Sequence, residues 1–181
     1  MAVASAAALG IWTFAHTVEP ASSPGDAVAV DVGPIEAADV PSPGDRLPPV
    51  SLNGRGGLSI DVSATGAPIW IRFWAAGCTP CGDEVAGIAD GLAPVLIGSG
   101  ARLVDVAIGA PPTDANGGLG RSATGADAAL DVGGAAARAL GVRTLPAHVL
   151  VGRDGVIAAR RGSRLTLDQI ATLLRLMDAR R

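Results

Sequence analysis

The sequence predicts an α/β domain with three layers, a mixed central sheet and an N-terminal β-hairpin, and three observations support this prediction. The run Ile69–Trp74 is almost wholly apolar, which is typical of a strand that is covered on both faces. Helical and strand patterns then alternate along the chain, as expected when helices pack on a sheet. An Asp154-Gly155 turn joins the last two strands as a hairpin, so the sheet is mixed and not purely parallel.

The other elements follow from local patterns. Asn53-Gly54 and the glycines after it separate two short apolar segments, which predicts the N-terminal hairpin. Apolar residues recur at helical spacing after the apolar run, and Pro94 is expected to kink or end that helix. Thr166 and Gln169 form a capping-box pattern, which predicts the start of the last helix. Between them we expect strands within residues 102–108, 126–131 and 142–151 and a short helix at 135–140.

The composition permits one domain with extensions. The chain has 181 residues, of which 49% are hydrophobic, and this is enough for a substantial core. Its formal net charge of −3 gives no reason to expect nucleic acid as a partner. We expect a folded domain at residues 44–181 and a flexible tether at 16–43, because Pro, Ala, Ser, Gly and acidic residues show no periodicity there.

Residues 1–15 are apolar and rich in alanine. A membrane span needs roughly 20 such residues, and a signal peptide needs a basic start, which this segment lacks. It is interpreted as a signal-anchor whose start is missing or mis-assigned, or as a weak signal peptide; a soluble buried helix is the alternative. With the tether, it predicts a domain held at a membrane, on the extracytoplasmic side.

The two cysteines of the chain, Cys78 and Cys81, lie three residues apart where the apolar strand meets the following helix. The first-turn N–H groups of a helix lack intrahelical partners, and the helix dipole is positive there. Both effects stabilise a thiolate, so the pKa of Cys78 should lie below the free value of about 8.5. Cys81 lies one turn further into the helix, and Pro80 suits the first turn because its missing N–H costs nothing there. The spacing therefore predicts Cys78 as the attacking thiolate and Cys81 as the resolving thiol.

Two other interpretations of the pair remain open. A zinc site would need further ligands, but there is no second cysteine pair, and His16 and His148 are far away in sequence. A purely structural disulfide would close a very short loop and contribute little stability.

A longer pattern surrounds the cysteines: Phe73-Trp74-Ala75-x-x-Cys78-x-Pro80-Cys81-x-x-Glu84. It resembles the active-site signature of thioredoxin-like proteins of the TlpA/ResA kind, and the resemblance extends from about residue 44 to the C-terminus. Members of this family are extracytoplasmic thiol–disulfide oxidoreductases, which are often membrane-tethered and commonly reductive. The sequence departs from the family at Arg72, Gly77 and Ala86, where Asn, an aromatic residue and Pro are common.

The resemblance implies roles for residues beyond the cysteines. It implies that Pro146 is cis and lies against the cysteine pair, so that the backbone edge at Leu145 can pair with an extended substrate. An ordinary trans proline at the start of a strand is the alternative. The expected catalytic residues are Cys78, Cys81, Pro146 and Glu84, and the expected substrate-binding residues are Trp74, Thr79, Pro80 and Leu145.

Two further charged or titratable residues lie in apolar strands. Arg72 occupies the position at which thioredoxin has a buried acid, and a buried guanidinium needs a carboxylate or several carbonyls as partners. We therefore expect Arg72 to approach Glu84 beneath the cysteines and to favour the Cys78 thiolate; an exposed Arg72 is the alternative. His148 suggests a general base, but its apolar neighbours favour a buried histidine with satisfied hydrogen bonds.

The predicted function is that of an extracytoplasmic thiol–disulfide oxidoreductase, a monomer that reduces or exchanges protein disulfides without a bound cofactor or metal. Its partners would be protein thiols or disulfides and an upstream electron donor. The alternatives are copper delivery on a thioredoxin fold, a protein-binding module without redox turnover, and a peroxidase. Copper delivery would favour a wider cysteine spacing with a well-placed histidine, and a peroxidase would use a lone peroxidatic cysteine.

Overall fold

A computed structural model describes residues 25–54, 58–62, 66–109 and 126–178 of the chain. The predicted membrane segment at residues 1–15 and the start of the predicted tether, 16–24, lie outside the described residues. Among the residues that are described, no helix combines the length and the apolar character that crossing a membrane requires.

Nine strands, three α-helices and one short 3-10 helix (Ala37–Asp39) form the described part of the fold. The strands are β1 (Val28–Ala29), β2 (Ser51–Gly54), β3 (Ser59–Asp61), β4 (Ile69–Trp74), β5 (Arg102–Ile108), β6 (Asp127–Asp131), β7 (Thr144–Leu145), β8 (Ala147–Val151) and β9 (Ile157–Arg161). The helices are α1 (Thr79–Ser99), α2 (Ala135–Ala139) and α3 (Leu167–Asp178). Seven strands form one sheet in the order β3-β2-β6-β5-β4-β8-β9. The sheet is mixed, because β4, β5 and β6 run parallel while the β2–β3, β4–β8 and β8–β9 pairs are antiparallel.

Strand β4 lies near the centre of the sheet and is buried on both faces. Ile71 and Phe73 contribute to a core cluster that includes residues of α2, whereas Trp70 belongs to a second cluster with residues of α1 and α3. Successive side chains of a strand point to opposite faces, so the two clusters lie on the two sides of the sheet. The three predicted layers, with the hairpin β2–β3 at one edge, are thus confirmed.

The sequence predicts that Pro94 kinks or ends the helix, and of these two outcomes the structure excludes the end, because α1 continues to Ser99. Proline removes one backbone donor, but tertiary packing can hold a helix past it. The next two residues, Val95 and Leu96, pack against the core cluster that contains Trp70 and residues of α1 and α3. The helix ends instead at Gly100, whose φ of +62° is the left-handed conformation that glycine adopts readily.

The capping box predicted for α3 is present. The Thr166 N–H donates to Gln169 Oε1 at 2.8 Å, and the Gln169 N–H donates to Thr166 Oγ1 at 3.3 Å. Each side chain therefore satisfies a backbone donor of the other residue.

Replacing Thr166 with Ala should lower the free energy of unfolding by about 1 kcal/mol, because the Gln169 N–H loses its acceptor. Urea denaturation followed by circular dichroism measures this change. The Thr166→Ser variant keeps the hydroxyl and is the control. An equal loss in both variants would show that packing of the threonine methyl, and not the cap, provides the stability.

The predicted flexible tether is wrong for residues 25–43, which lie against the domain. Strand β1 pairs antiparallel with β7, and Val32 is buried in the core cluster on the α2 side of the sheet. The Val32 carbonyl accepts a hydrogen bond from Arg138 at 2.6 Å, and the Pro41 carbonyl accepts one from Arg160 at 2.7 Å. Isolated contacts of this kind leave no periodic pattern, so they could not be predicted from the sequence.

Candidate active site

The cysteine pair lies where the central strand passes into the first helix. Strand β4 ends at Trp74, and Cys78 is the N-cap residue of α1. Gly77 has a φ of +77°, a backbone conformation that larger residues rarely adopt. The turn therefore suits glycine at a position where an aromatic residue is common in the family that the sequence resembles.

Cys78 and Cys81 form a disulfide with a Cα–Cα distance of 5.3 Å. The Cys78 sulfur also accepts a hydrogen bond from the Cys81 N–H at 3.2 Å, so it lies against the first turn of α1. Cys81 is 6% exposed and belongs to the core, whereas Cys78 is only partly buried. The pair therefore combines a partly exposed Cys78 with a buried Cys81 at a helix N-terminus.

Pro146 lies between β7 and β8, directly before the strand that pairs with β4. The Leu145–Pro146 bond is cis, as the resemblance implies. Phe73 pairs with Ala147 in the β4–β8 ladder, so the preceding residue, Pro146, lies at the end of β4 from which the chain leads to Cys78. Leu145 is buried, so its side chain faces the core, and its backbone pairs with Val28 of β1.

The other predicted substrate-binding residues differ in exposure. Thr79 is exposed and Trp74 is partly exposed, whereas Pro80 is buried. Of these three, Thr79 and Trp74 offer side-chain surface to a partner.

A cluster of buried charged side chains lies between the sheet and α1. Arg72 donates to both carboxylate oxygens of Asp105, at 2.6 and 2.7 Å, and its Nη1 lies 3.4 Å from Glu84 Oε1. The predicted approach of Arg72 and Glu84 is therefore present, but the tighter, bidentate partner is Asp105. Burial alone would lower the pKa of Arg72, but Asp105 and then Glu84 offset this and hold that pKa above its ordinary value, so the guanidinium stays charged.

His148 is the fourth member of this cluster, and its two ring nitrogens have different hydrogen-bond partners. Trp70 Nε1 lies 3.2 Å from His148 Nδ1, and an indole N–H can only donate, so Nδ1 accepts. His148 Nε2 faces two acceptors, Glu84 Oε2 and the Ser163 carbonyl, each at 3.2 Å. Nε2 is therefore the ring nitrogen that can donate, towards Glu84 and the Ser163 carbonyl. As the sequence favoured, this histidine is buried and has satisfied hydrogen bonds.

Glu84 connects the cluster to the loop before α3. Its Oε2 accepts the Leu165 N–H at 2.8 Å, in addition to the contact with His148. Burial would raise the pKa of Glu84, but His148, the Leu165 N–H and Arg72 together offset this and lower that pKa below its ordinary value. Glu84 is therefore ionised at neutral pH.

This lowered pKa predicts a pH-dependent stability. A carboxyl whose pKa is lower in the folded state contributes stability above its unfolded pKa of about 4.3, and this is lost as the pH falls through the folded value. Replacing Glu84 with Gln should therefore cost about 2 kcal/mol at pH 7, and the difference from wild type should shrink towards pH 3. Urea unfolding at both pH values measures it.

Asp90 lies exposed on the same helix, and the Asp90→Asn variant, which removes one carboxylate outside the buried cluster, is the control. A deficit for Glu84→Gln that is equal at pH 7 and pH 3 would contradict an ionised, stabilising Glu84.

The sequence did not single out Asp105 or the Trp70–His148 hydrogen bond. An acid inside the apolar strand 102–108 was a usable signal for Asp105, because a buried carboxylate needs a cation. For Trp70 there was no signal, since a tryptophan in an apolar strand is fully explained by packing. In the described part of the chain, no group of three or more His, Cys, Asp or Glu side chains is placed to hold a metal ion.

No protein-family model and no curated protein matches the chain by sequence. Solved structures do resemble it. A putative thiol:disulfide interchange protein DsbE from Chlorobium tepidum is 26% identical with a TM-score of 0.61, and the match covers 74% of this chain and 98% of that chain. A thioredoxin-like protein from Porphyromonas gingivalis is 27% identical with a TM-score of 0.56, covering 75% and 94%. At 18% identity, a secreted disulfide oxidoreductase of Mycobacterium tuberculosis shares the fold, with a TM-score of 0.55 and coverage of 70% and 94%.

The fold and the cysteine pair at the start of α1 together define a thioredoxin-like thiol–disulfide oxidoreductase. Within this class, the structural neighbours support the TlpA/ResA-like family that the sequence resembles. Proteins of this class use the cysteine pair itself as the redox centre, in place of a bound cofactor.

Proposed function

We propose that this protein reduces or exchanges disulfides of exported proteins through Cys78 and Cys81. The observation that carries the proposal is the disulfide at the N-terminus of α1, which joins a partly exposed Cys78 to a buried Cys81 beside a cis-proline edge. The likeness to a putative thiol:disulfide interchange protein supports the same chemistry. Protein thiols and an upstream electron donor would be its partners, and we expect a monomer.

The proposed reaction starts from the reduced pair. The Cys78 thiolate attacks one sulfur of a substrate disulfide, forms a mixed disulfide, and releases the other substrate sulfur as a thiolate that takes up a proton. Cys81 loses its proton and attacks the Cys78 sulfur, which releases the second substrate thiol. Two electrons have then passed to the substrate, and the pair is left as the Cys78–Cys81 disulfide that the structure contains. An external dithiol donor would reduce it again.

The proposal gives the surrounding residues supporting roles. Pro146 and the backbone of Leu145 would hold an extended substrate chain, and Thr79 and Trp74 would contact it through their side chains. Glu84 would act as a positioning residue behind Cys81, because three contacts fix its carboxylate. Arg72 would influence the Cys78 thiolate through Glu84.

An extracytoplasmic location is also proposed. The apolar segment 1–15 would act as a signal or anchor, and one structural neighbour is a secreted protein. Fractionation of cells that express the full chain would test this location, and recovery of the protein from the cytoplasmic fraction would contradict it.

Insulin reduction tests the proposed activity. With dithiothreitol as the electron donor, the protein should speed precipitation of the insulin B chain, and the Cys78→Ser variant should not. Copper titration and a peroxide-consumption assay test the alternatives on the same preparation. Failure to reduce insulin, together with tight copper binding or rapid peroxide consumption, would overturn the proposal.

A further inference from the structure

We infer that residues 26–30, which we call the strap, occupy the backbone edge at which an extended protein substrate would dock, and that the strap must leave before a protein disulfide reaches Cys78. This inference rests on the proposed function. It adds that a segment of the chain itself competes with the substrate, so that substrates able to displace the strap are favoured.

The register of the β1–β7 pair shows which backbone groups the strap uses. Val28 lies opposite Leu145 and Ala29 opposite Thr144, and the Val30 N–H donates to the Arg143 carbonyl at 3.0 Å. Opposite residues of an antiparallel pair alternate between hydrogen-bonded and non-hydrogen-bonded positions. Since the Val30–Arg143 position is bonded, the Val28–Leu145 position is bonded as well.

Leu145 is the residue directly before the cis proline. Its N–H and C=O point to the same side of the extended chain, and Val28 takes both. A substrate strand that pairs with Leu145 would need these same two groups. Strap and substrate therefore exclude each other at this position.

The strap is held at its two ends and weakly in its middle. At one end, Arg164 donates to the Asp26 carbonyl through its backbone N–H at 2.8 Å and to the Asp26 carboxylate through its side chain at 2.9 Å. Beyond the other end, Val32 is buried in the core. Between them Val28 and Ala29 are both exposed, so little apolar burial holds them in place.

This distribution of contacts favours reversible opening. The part beyond Val32 can stay anchored while residues 26–30 move away. The cost includes main-chain hydrogen bonds, the Asp26–Arg164 ion pair and the packing of the partly buried Val30 against the core. That ion pair is partly exposed, with 44% of the Arg164 side chain and 21% of the Asp26 side chain accessible, so salt should weaken it. A competing strand would restore the hydrogen bonds of Leu145, which lowers the net cost of displacement.

Proline substitutions at adjacent positions of the full-length protein provide a matched test. Val28→Pro removes the N–H that donates to the Leu145 carbonyl, whereas the Ala29 N–H faces away from β7, so Ala29→Pro removes no bond between the strands. The assays are reduction of insulin, which must dock as a chain, and of the small disulfide 5,5′-dithiobis(2-nitrobenzoate), which need not.

Loss of one hydrogen bond should weaken closure of the strap about fivefold. We therefore expect Val28→Pro to raise kcat/KM for insulin up to about fivefold, with the small-disulfide rate unchanged and Ala29→Pro close to wild type. Asp26→Asn should give a smaller increase for insulin. An unchanged or lower insulin rate in Val28→Pro would overturn the inference, as would equal changes for both substrates.

Hydrogen exchange at the Leu145 N–H gives a readout that does not depend on catalysis. It should be faster in Val28→Pro than in Ala29→Pro, and equal exchange in the two variants would overturn the strap whatever their activities. If neither the wild type nor any variant reduces insulin or the small disulfide, the proposed function is wrong. The exchange rates then still decide whether the strap covers Leu145.

Discussion

Replacing Cys81 with Ser is expected to abolish turnover and to leave protein substrates covalently attached to Cys78. The partly buried Cys78 sulfur is the one that a substrate can reach, while Cys81 is 6% exposed. The substrate disulfide should therefore be attacked by Cys78, and without a second thiol the mixed disulfide has no resolving partner. Non-reducing gel electrophoresis should show adducts that dithiothreitol releases.

The position of Cys78 as the N-cap of α1 gives the physical reason for this order. Its sulfur accepts the Cys81 N–H, and the positive end of the helix dipole would stabilise the negative charge of a thiolate there. Cys81 lies inside the first turn, where its sulfur is covered. The two positions should therefore differ in reactivity even though the two side chains are identical.

The Cys78→Ser variant is the matched control. It keeps the resolving thiol but lacks the accessible one, so it should show neither turnover nor appreciable adducts. Accumulation of adducts in Cys78→Ser, and not in Cys81→Ser, would reverse the assignment of the nucleophile.

The chemistry of this site could be predicted from the sequence because its signals are contiguous. Cys78 and Cys81 stand within one stretch that runs from an apolar strand into a helix start, and neighbouring residues fix that geometry. Pro146 could be singled out from the sequence for a related reason, since a proline at the start of an apolar strand is unusual. The helix and strand order followed from local periodicity and turn residues.

The long-range contacts could not be predicted in the same way. Arg72 was expected to need a carboxylate, but Asp105 is 33 residues away and becomes its partner only because β4 and β5 are adjacent. Trp70 and His148 are 78 residues apart, and their hydrogen bond depends on the β4–β8 pairing. The strap contains only the two-residue strand β1, which is too short to carry an alternating pattern.

Replacing Arg72 with Met is expected to have the largest effect on stability of any single change in the buried cluster. The guanidinium compensates two buried carboxylates, Asp105 and Glu84, and the substitution removes its positive charge from beside both. Removing one partner of a buried ion pair costs about 3–5 kcal/mol, because the remaining charge has lost its compensation. Urea or thermal unfolding at pH 7 should show a loss of this size.

The loss should be smaller at acidic pH. Arg72 helps to lower the pKa of Glu84, so in the variant this carboxyl should take up a proton more readily, and the stability deficit relative to wild type should shrink as the pH falls. Arg72→Lys keeps a positive charge but cannot form the bidentate contact with Asp105, so an intermediate loss is expected. Alkylation of the reduced Cys78 with iodoacetamide across pH, in the same variants, measures whether Arg72 also favours the thiolate.

A second ion pair in the protein provides the matched control for burial. Arg102 and Asp127 also pair across adjacent strands, but 34% and 50% of their side chains are exposed. Because an exposed pair contributes only about 0–1 kcal/mol, Arg102→Met should cost far less than Arg72→Met. Equal losses in the two variants, or a loss for Arg72→Met that does not change between pH 7 and pH 4, would show that lost packing of the arginine stem and not uncompensated charge is responsible.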